Sequence, residues 1–513
     1  MSELCSKSAG ALAQMISGKE ISSLELTDHF IQRIEKLDDQ INAVVTRDFE
    51  SALAAADTAD DLLARGGDIG PLHGVPFTIK ENIDCLDSAT TRGVLALADS
   101  MPSLDAPVVA RMKAAGAIPL GRTNLPELGM RITTDNPLHG RTLNPWNADR
   151  TAGGSSGGEA SALASGMSPL GLGNDIGGSV RNPAFCCGVS SLKPSVGRIP
   201  HASSIPPEDS RLATQLLLTE GPMARHVYDV AATLGVMTGV DDADDATRKS
   251  SGYFQTDYTE GLDSRALNGA RLGIARDFLG QDSDVDWVIE ASLKTMRNAG
   301  AIIVDVRFPE WLLEVNNALY TTIRYREFRA QLPEYLATLN TEYPDTLTEI
   351  IEQTTRFTSP TPGALPNPSR WRLMEREVNS GQLSDHEYEA VFEHGLPLIR
   401  TIVSGLMDSE DLDAIIYPTQ PRRPTRLNSD PTPSFGERRP SPIRYANLTG
   451  FPDLVVPAGF TGNRLPVGIS FLGRAFSEAR LLSLGYAFEQ LTHARRLPIH
   501  TPNVAGRSNG QPD

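Results

Sequence analysis

The sequence predicts an α/β protein of one large domain, with a central mixed β-sheet sandwiched by helices and a helical lobe inserted into it. Three features of the 513-residue chain carry that expectation. Short apolar runs bounded by turn residues alternate with segments of helical period. The runs are continuous rather than alternating, as in strands covered on both faces. Between residues 310 and 410 the strand signals give out, and helical patterns with a Pro-rich break at 360–368 replace them.

In chain order, residues 9–65 read as helical. Ser22 and Ser23 precede Leu24-Glu25, an N-capping signal, and Leu26, Phe30, Ile34 and Leu37 follow at helical spacing. Residues 52–63 form an Ala-rich helix that stops at Gly66-Gly67. Pro71-Leu72-His73-Gly74-Val75-Pro76 is a turn. Val75, Phe77 and Ile79 then alternate with Thr78 and Lys80, a short strand ending on a lysine. Residues 108–116 read as a helix and 117–121 as a strand. The alternation resumes with strands at 272–275, 302–306, 414–418, 454–457 and 467–471, and a helix at 285–299. The domain is expected to span 1–503, with the 310–410 lobe within it and placed to cover a site. The Pro- and Arg-rich stretch 420–442 reads as a long surface loop, and 504–513 as a flexible tail.

Composition bounds the function. Hydrophobic residues are 40% and charged residues 22%, which excludes wholesale disorder, collagen and coiled coil. The net charge is −17, a poor match to a phosphate backbone or an anionic membrane surface. Small molecules are the expected partners, with no nucleic acid and no membrane, and the chain is expected as a monomer or homodimer. Cys5, Cys85, Cys186 and Cys187 include no C-x-x-C pair, so no zinc ribbon or thiol redox centre is expected. Cys186 and Cys187, flanked by Phe185 and Gly188, read as buried packing. No basic region followed by an apolar core opens the chain. No apolar run approaches the roughly 20 residues of a membrane span. A cytoplasmic enzyme or binding protein is the expectation.

Nine glycines fall between 153 and 178. Glycine costs folding entropy, so this density calls for positive φ or close approach of the main chain to another group. A phosphate loop would need a lysine directly after the glycines, and the next one is Lys193. A dinucleotide fingerprint starts at Gly171-Leu172-Gly173 but breaks at Ile176. Gly153-Gly154-Ser155-Ser156-Gly157 formally matches a nucleophile elbow. That motif needs an apolar strand before it, and Asn144-Pro145-Trp146-Asn147-Ala148-Asp149-Arg150 is a polar turn. Nor do His73, His139 or His226 offer a catalytic context.

A serine in a glycine-rich oxyanion loop remains. Asp175-Ile176-Gly177-Gly178-Ser179 can aim several backbone N–H groups at one developing oxyanion. With no persuasive histidine, Lys80 is the candidate base. Its pKa must fall from about 10.4 to roughly 7–8, which burial can achieve. A second serine can relay the proton. Asp175 reads equally as an anchor or as a turn aspartate.

Gly153-Gly154-Ser155-Ser156-Gly157-Gly158-Glu159-Ala160, Gly171-Leu172-Gly173-Asn174-Asp175-Ile176-Gly177-Gly178-Ser179-Val180-Arg181-Asn182-Pro183-Ala184 and Leu192-Lys193-Pro194 resemble the signature of the amidase signature family of serine hydrolases. Upstream, Gly74-Val75-Pro76-Phe77-Thr78-Ile79-Lys80-Glu81-Asn82 and Gly121-Arg122-Thr123-Asn124-Leu125-Pro126-Glu127 resemble the same family. So do Gly450-Phe451-Pro452, Pro457-Ala458-Gly459-Phe460 and Leu465-Pro466-Val467-Gly468 downstream. The likeness covers most of 10–310 and 410–500. It implies the amidase signature fold and a Ser-Ser-Lys triad. Ser179 would be the acyl-forming nucleophile, Ser155 the bridge after a cis bond from Gly154, and Lys80 the neutral base. The N–H groups of Ile176, Gly177, Gly178 and Ser179 would form the oxyanion hole, and Gly129 would line the substrate site. Asn174 departs from the pattern, since members usually carry Thr or Ser there. Ser190-Ser191 and Ser195 depart too.

The resemblance implies an amidase, hydrolysing linear amides through an acyl-enzyme with no metal or organic cofactor. The lobe is similar to that of peptide-amidase-type members, which remove C-terminal amides. Aryl acylamidase, urethanase (carbamate) and ester hydrolysis share the triad. The alternative is an A-type subunit of a tRNA-dependent glutamine amidotransferase, against which the −17 charge and the lobe count. A catalytically inert binding protein is the third reading.

Overall fold

An eleven-stranded mixed sheet runs through the middle of the computed structural model, which describes residues 4–200, 217–339, 342–356, 359–361, 367–427 and 441–498. In chain order the strands are β1 (Val44–Arg47), β2 (Pro76–Lys80), β3 (Ile118–Thr123), β4 (Leu170–Asp175), β5 (Ser190–Lys193), β6 (Thr219–Ala224), β7 (Arg271–Ala275), β8 (Ile302–Val306), β9 (Ala414–Pro418), β10 (Asp453–Phe460) and β11 (Pro466–Leu472). Their order across the sheet is β1-β3-β2-β4-β6-β5-β10-β11-β9-β7-β8. Parallel pairing joins β3, β2 and β4, and again β9, β7 and β8. The strands between these groups, and β1 at the edge, pair antiparallel.

Helices flank the sheet on the apolar strands that the sequence makes legible. Phe77, Ile79, Leu272, Ile274, Ile416, Leu454, Val456, Ile469 and Phe471 are buried in one continuous core. Helix Ser23–Leu37 packs on Phe49–Ala64, Ser283–Asn298 lies against β9 and β10, and Glu478–Thr492 against β10. Two sequence expectations need correction. Residues 9–65 are not helical throughout, because β-branched Val44, Val45 and Thr46 form β1. Residues 170–175 are a buried strand rather than only a glycine loop. The described part of the expected surface loop, 420–427, is irregular and mostly exposed or half-buried; Thr151 N–H donates to the Thr425 carbonyl at 2.9 Å and Leu427 N–H to that of Asp149 at 2.9 Å. The rest of that expected loop, 428–440, and the expected tail lie outside the described residues.

Residues 310–410 carry helices Glu310–Leu336, Leu347–Thr354, Pro368–Val378, His386–Ala390 and Leu396–Ser409. The first of these seats the lobe twice. Tyr320 and Ile323 join Ile176, Phe278, Tyr417 and Tyr445 in one apolar cluster. Phe328, Leu332 and Tyr335 join Val94, Leu97 and Leu128 in another. The lobe thus bridges the segment after β2 and the loop after β4.

Ser22 caps helix Ser23–Leu37 with a complete capping box: its hydroxyl accepts Glu25 N–H at 2.9 Å, and Glu25 accepts Ser22 N–H at 2.9 Å. Ser22→Ala is expected to lower the urea unfolding midpoint by the equivalent of about 0.5–2 kcal/mol, without loss of activity.

Candidate active site

β2 and β4 run parallel side by side, with Ile79 opposite Leu172. Their C-terminal ends therefore bring Lys80 and Asn174 together from positions 94 residues apart in sequence. Lys80 is fully buried. Its Nζ lies 2.6 Å from Ser155 Oγ and 2.5 Å from Asn174 Oδ1. Ser155 follows a cis peptide bond from Gly154 and precedes helix Gly157–Ala164, which packs on β4. Glu159 of that helix accepts hydrogen bonds from Thr78 on β2 and Thr123 on β3 at 2.5 and 2.9 Å. A methyl group at Gly171 would collide with the Glu159 carboxyl. Some of the glycine density therefore serves the close approach of helix to strand, not the oxyanion.

Ser179 lies in the turn after β4 and is 8% exposed. Its carbonyl accepts Ser156 N–H at 3.1 Å, which sets it beside the Gly154-Ser155 segment. No hydrogen bond joins the Ser155 and Ser179 hydroxyls among the described residues. Ser179 does not cap the following helix, whose N-cap is Val180. Of the four N–H groups expected in the oxyanion hole, that of Gly178 donates to Asp175 Oδ1 at 2.7 Å. Gly178 N–H is thus engaged inside the loop, while those of Ile176, Gly177 and Ser179 flank it. The Tyr320 hydroxyl of the lobe covers Gly177, and the Ile443 side chain covers Gly178, each where a β-carbon would stand. Gly129 has φ 69°, and a β-carbon on it would sit 3.8 Å from Ser155 Oγ and 3.1 Å from Asn82 Nδ2, so the residue lines the space beside Ser155.

Asp175 is the anchor of this loop. Its carboxylate takes Gly178 N–H, Val180 N–H at 3.1 Å, and both Arg181 Nε and Nη2 at 3.0 Å. Arg181 reaches further, to Asp453 Oδ2 at 2.6 Å, Asn447 Oδ1 at 2.7 Å and the Ile443 carbonyl at 2.6 Å. Tyr417 hydroxyl donates to the same Asp453 oxygen at 2.7 Å. Arg181, Asp453, Asn447 and Tyr320 were missed by sequence reasoning. Arg181 stands two residues from Ser179 in the signature, but its partners beyond Asp175 lie some 260–270 residues away, and only the fold joins them.

Burial sets the charges. It pulls the Lys80 amine down to about 7, helped by Arg92 and opposed by Asp175, Glu220 and Glu159. It also pushes Glu159 up to about 8, against the pull of the two threonine bonds and Lys80. For Asp175 burial acts upward, but Arg181, Asn447 and the Gly178 N–H outweigh it and hold the carboxyl well below its usual range. Lys193 is also buried and lowered to about 7, chiefly by desolvation. It bonds the Pro194 carbonyl and takes no part in the Lys80-Ser155 pair. Cys186 and Cys187 are buried thiols with raised pKa, first through desolvation. Among the described residues, no cluster of three or more His, Cys, Asp or Glu could hold a metal ion, and no helix is long and apolar enough to cross a membrane.

The Amidase family pattern matches residues 25–482, and the chain belongs to that family, the amidase signature enzymes. The A subunit of glutamyl-tRNA(Gln) amidotransferase from Halorhodospira halophila is 34% identical over 504 residues, 95% of this chain and 97% of its own length. Its counterpart from Acinetobacter baylyi is 32% identical over 512 residues, covering 98% and 100%. Among solved structures, native peptide amidase from Stenotrophomonas maltophilia superposes with a TM-score of 0.85 and 32% identity over 96% of this chain and 98% of its own. The fold is thus similar to that of a peptide amidase, while these sequence relatives bear the amidotransferase name.

Arg181→Ala leaves Asp175 and Asp453 without their cation in a water-free setting. It is expected to cost about 3–5 kcal/mol, read as a large drop in unfolding midpoint or as loss of soluble protein. Arg181→Lys, which loses the bidentate fork, is expected to fall between the two.

Proposed function

We propose that the protein cleaves a carboxylic amide through an acyl-enzyme on Ser179. The observation that carries the reading is the contact of a fully buried Lys80 amine with Ser155 Oγ at 2.6 Å. The neutral amine accepts the Ser155 proton as Ser155 takes that of Ser179, and Ser179 Oγ attacks the carbonyl carbon. The Ser155 and Ser179 hydroxyls close on each other when substrate is bound, as catalytic hydrogen bonds commonly do. The N–H groups of Ile176, Gly177 and Ser179 take the oxyanion, with Gly178 bracing the loop through Asp175. On collapse the C–N bond breaks, and the amine leaves with the proton returned from Lys80 through Ser155. Water then repeats the sequence on the ester, releasing the carboxylic acid and restoring the Ser179 hydroxyl. Gly129 borders the acyl group.

Two readings of the substrate follow. The sequence relatives favour an A-type subunit of a glutamyl-tRNA(Gln) amidotransferase, working with partner subunits. The overlay with a peptide amidase and the helical lobe support a free hydrolase of peptide amides, anilides, carbamates or esters. The two separate on one assay: the purified chain alone is tested on a panel of those substrates and on glutamine. Turnover by the single chain selects the free hydrolase; turnover only in the presence of partner subunits selects the amidotransferase component.

Ser179→Ala is expected to abolish turnover and labelling by a fluorophosphonate probe, read by intact mass. Labelling at another serine would remove Ser179 as nucleophile. Lys80→Ala is expected to lower kcat by about 10²–10⁴-fold with an unchanged circular dichroism spectrum. In the wild type, the ammonium form of Lys80 cannot accept a proton, so kcat/KM is expected to rise with pH through a limb near 7 and then level. A flat profile across that limb would argue against the lysine base.

A further inference from the structure

We propose that Asn174 is the positioning residue that aims the Lys80 lone pair at Ser155. The inference rests on the reading of Lys80 as base and goes beyond it, because the family resemblance places a hydroxyl residue at this position.

A neutral primary amine has two N–H donors and one lone pair. Lys80 is fully buried, so these groups look to the protein for partners. Lys80 Nζ has two polar neighbours, Ser155 Oγ at 2.6 Å and Asn174 Oδ1 at 2.5 Å. They differ in kind. A hydroxyl donates or accepts, whereas an amide oxygen only accepts. Asn174 Oδ1 must therefore take an N–H in either protonation state of the amine. With one N–H held there, the lone pair has Ser155 as the hydroxyl from which it can accept a proton. A threonine or serine here would itself compete to donate to the lone pair, and the amine would have two equivalent orientations. Asn174 is itself held in place: it is buried on β4 and its backbone pairs with Glu220 of β6.

The amide also does this without charge. The ionisable groups that act on Lys80 are Asp175 on β4, Glu220 on β6, Glu159 on helix Gly157–Ala164 and Arg92 beyond β2. Asp175 is committed to Arg181, and Glu159 is held by two threonine hydroxyls. A carboxylate at 174 would contact the amine directly, and it would favour the ammonium form.

The test is the pH dependence of fluorophosphonate labelling of Ser179, which needs no knowledge of the substrate, in wild type, Asn174→Asp, Asn174→Thr and Asn174→Ala. Asn174→Asp, nearly isosteric, is expected to move the acid limb upward by at least one pH unit. Labelling then falls at least tenfold at neutral pH and recovers in alkali. Asn174→Ala deprives the ammonium of an acceptor, so the limb is expected to move downward while the plateau rate falls about tenfold or more. Asn174→Thr is expected to restore part of that plateau. A role limited to packing would lower rates without opposite shifts of the limb. Superimposable limbs in Asn174→Asp and wild type would overturn the proposal, and they can be read even if the alanine variant does not fold. A wild type with no acid limb, and a Lys80→Ala variant labelled as fast as wild type, would instead overturn the lysine base itself.

Discussion

The guanidinium of Arg181 is where the two halves of the molecule are fastened together. Its partners come from β4, from helix Arg444–Thr449 and from β10. All of these side chains are buried. A desolvated guanidinium is tolerated only when its donors are satisfied in good geometry, so the C-terminal part of the sheet must be in place before the turn after β4 has a defined shape. That turn carries Ser179. Ser179, the proposed nucleophile, is therefore positioned by residues that arrive some 270 positions later in the chain.

Burial governs protonation. It favours the neutral amine at Lys80 and the neutral carboxyl at Glu159 alike. A charged carboxylate close to Lys80 favours the ammonium instead. Asp175, Glu220 and Glu159 all act on Lys80 in that direction, with Arg92 against them. Glu159 is itself pushed up to about 8 by its burial, and Asp175 is paired with Arg181. Burial outweighs their pull, and the low lysine pKa is its consequence.

Much of this was legible in the sequence and some was not, for physical reasons. Continuous apolar runs mark β7, β9, β10 and β11, because strands buried on both faces admit little else; β8 carries such a run too, although it stands at the sheet edge and is only partly covered. Lys80 was legible as a strand-end residue within a recognisable segment. β4, β5 and β6 were not read as strands. Gly171 and Gly173 remove the apolar side chains that announce a strand, since helix Gly157–Ala164 presses against it. Ser190 and Ser191 in β5, and Glu220, Gly221 and Pro222 in β6, hide theirs in the same way. β1 was lost inside a long helical pattern. Asp453 offers no local signal at all, because its meaning depends on a guanidinium from another part of the chain.

The division of labour between core and lobe explains why a shared reaction leaves the substrate open. Lys80, Ser155, Asn174, Asp175, Ser179 and Arg181 all belong to the sheet and its immediate turns. The lobe adds Tyr320 above Gly177, and Tyr335 stacked on Arg92 with 3.6 Å between guanidinium carbon and ring centroid. Tyr320 fills the space against Gly177. Tyr335 pins Arg92, whose charge lies close enough to disfavour the ammonium of Lys80. A change in lobe sequence therefore alters what fits over the glycine loop, and through Arg92 the basicity of the amine, while the attacking machinery stays as it is. Helix Glu310–Leu336, rather than the signature residues beneath it, supplies the side chain that stands over Gly177.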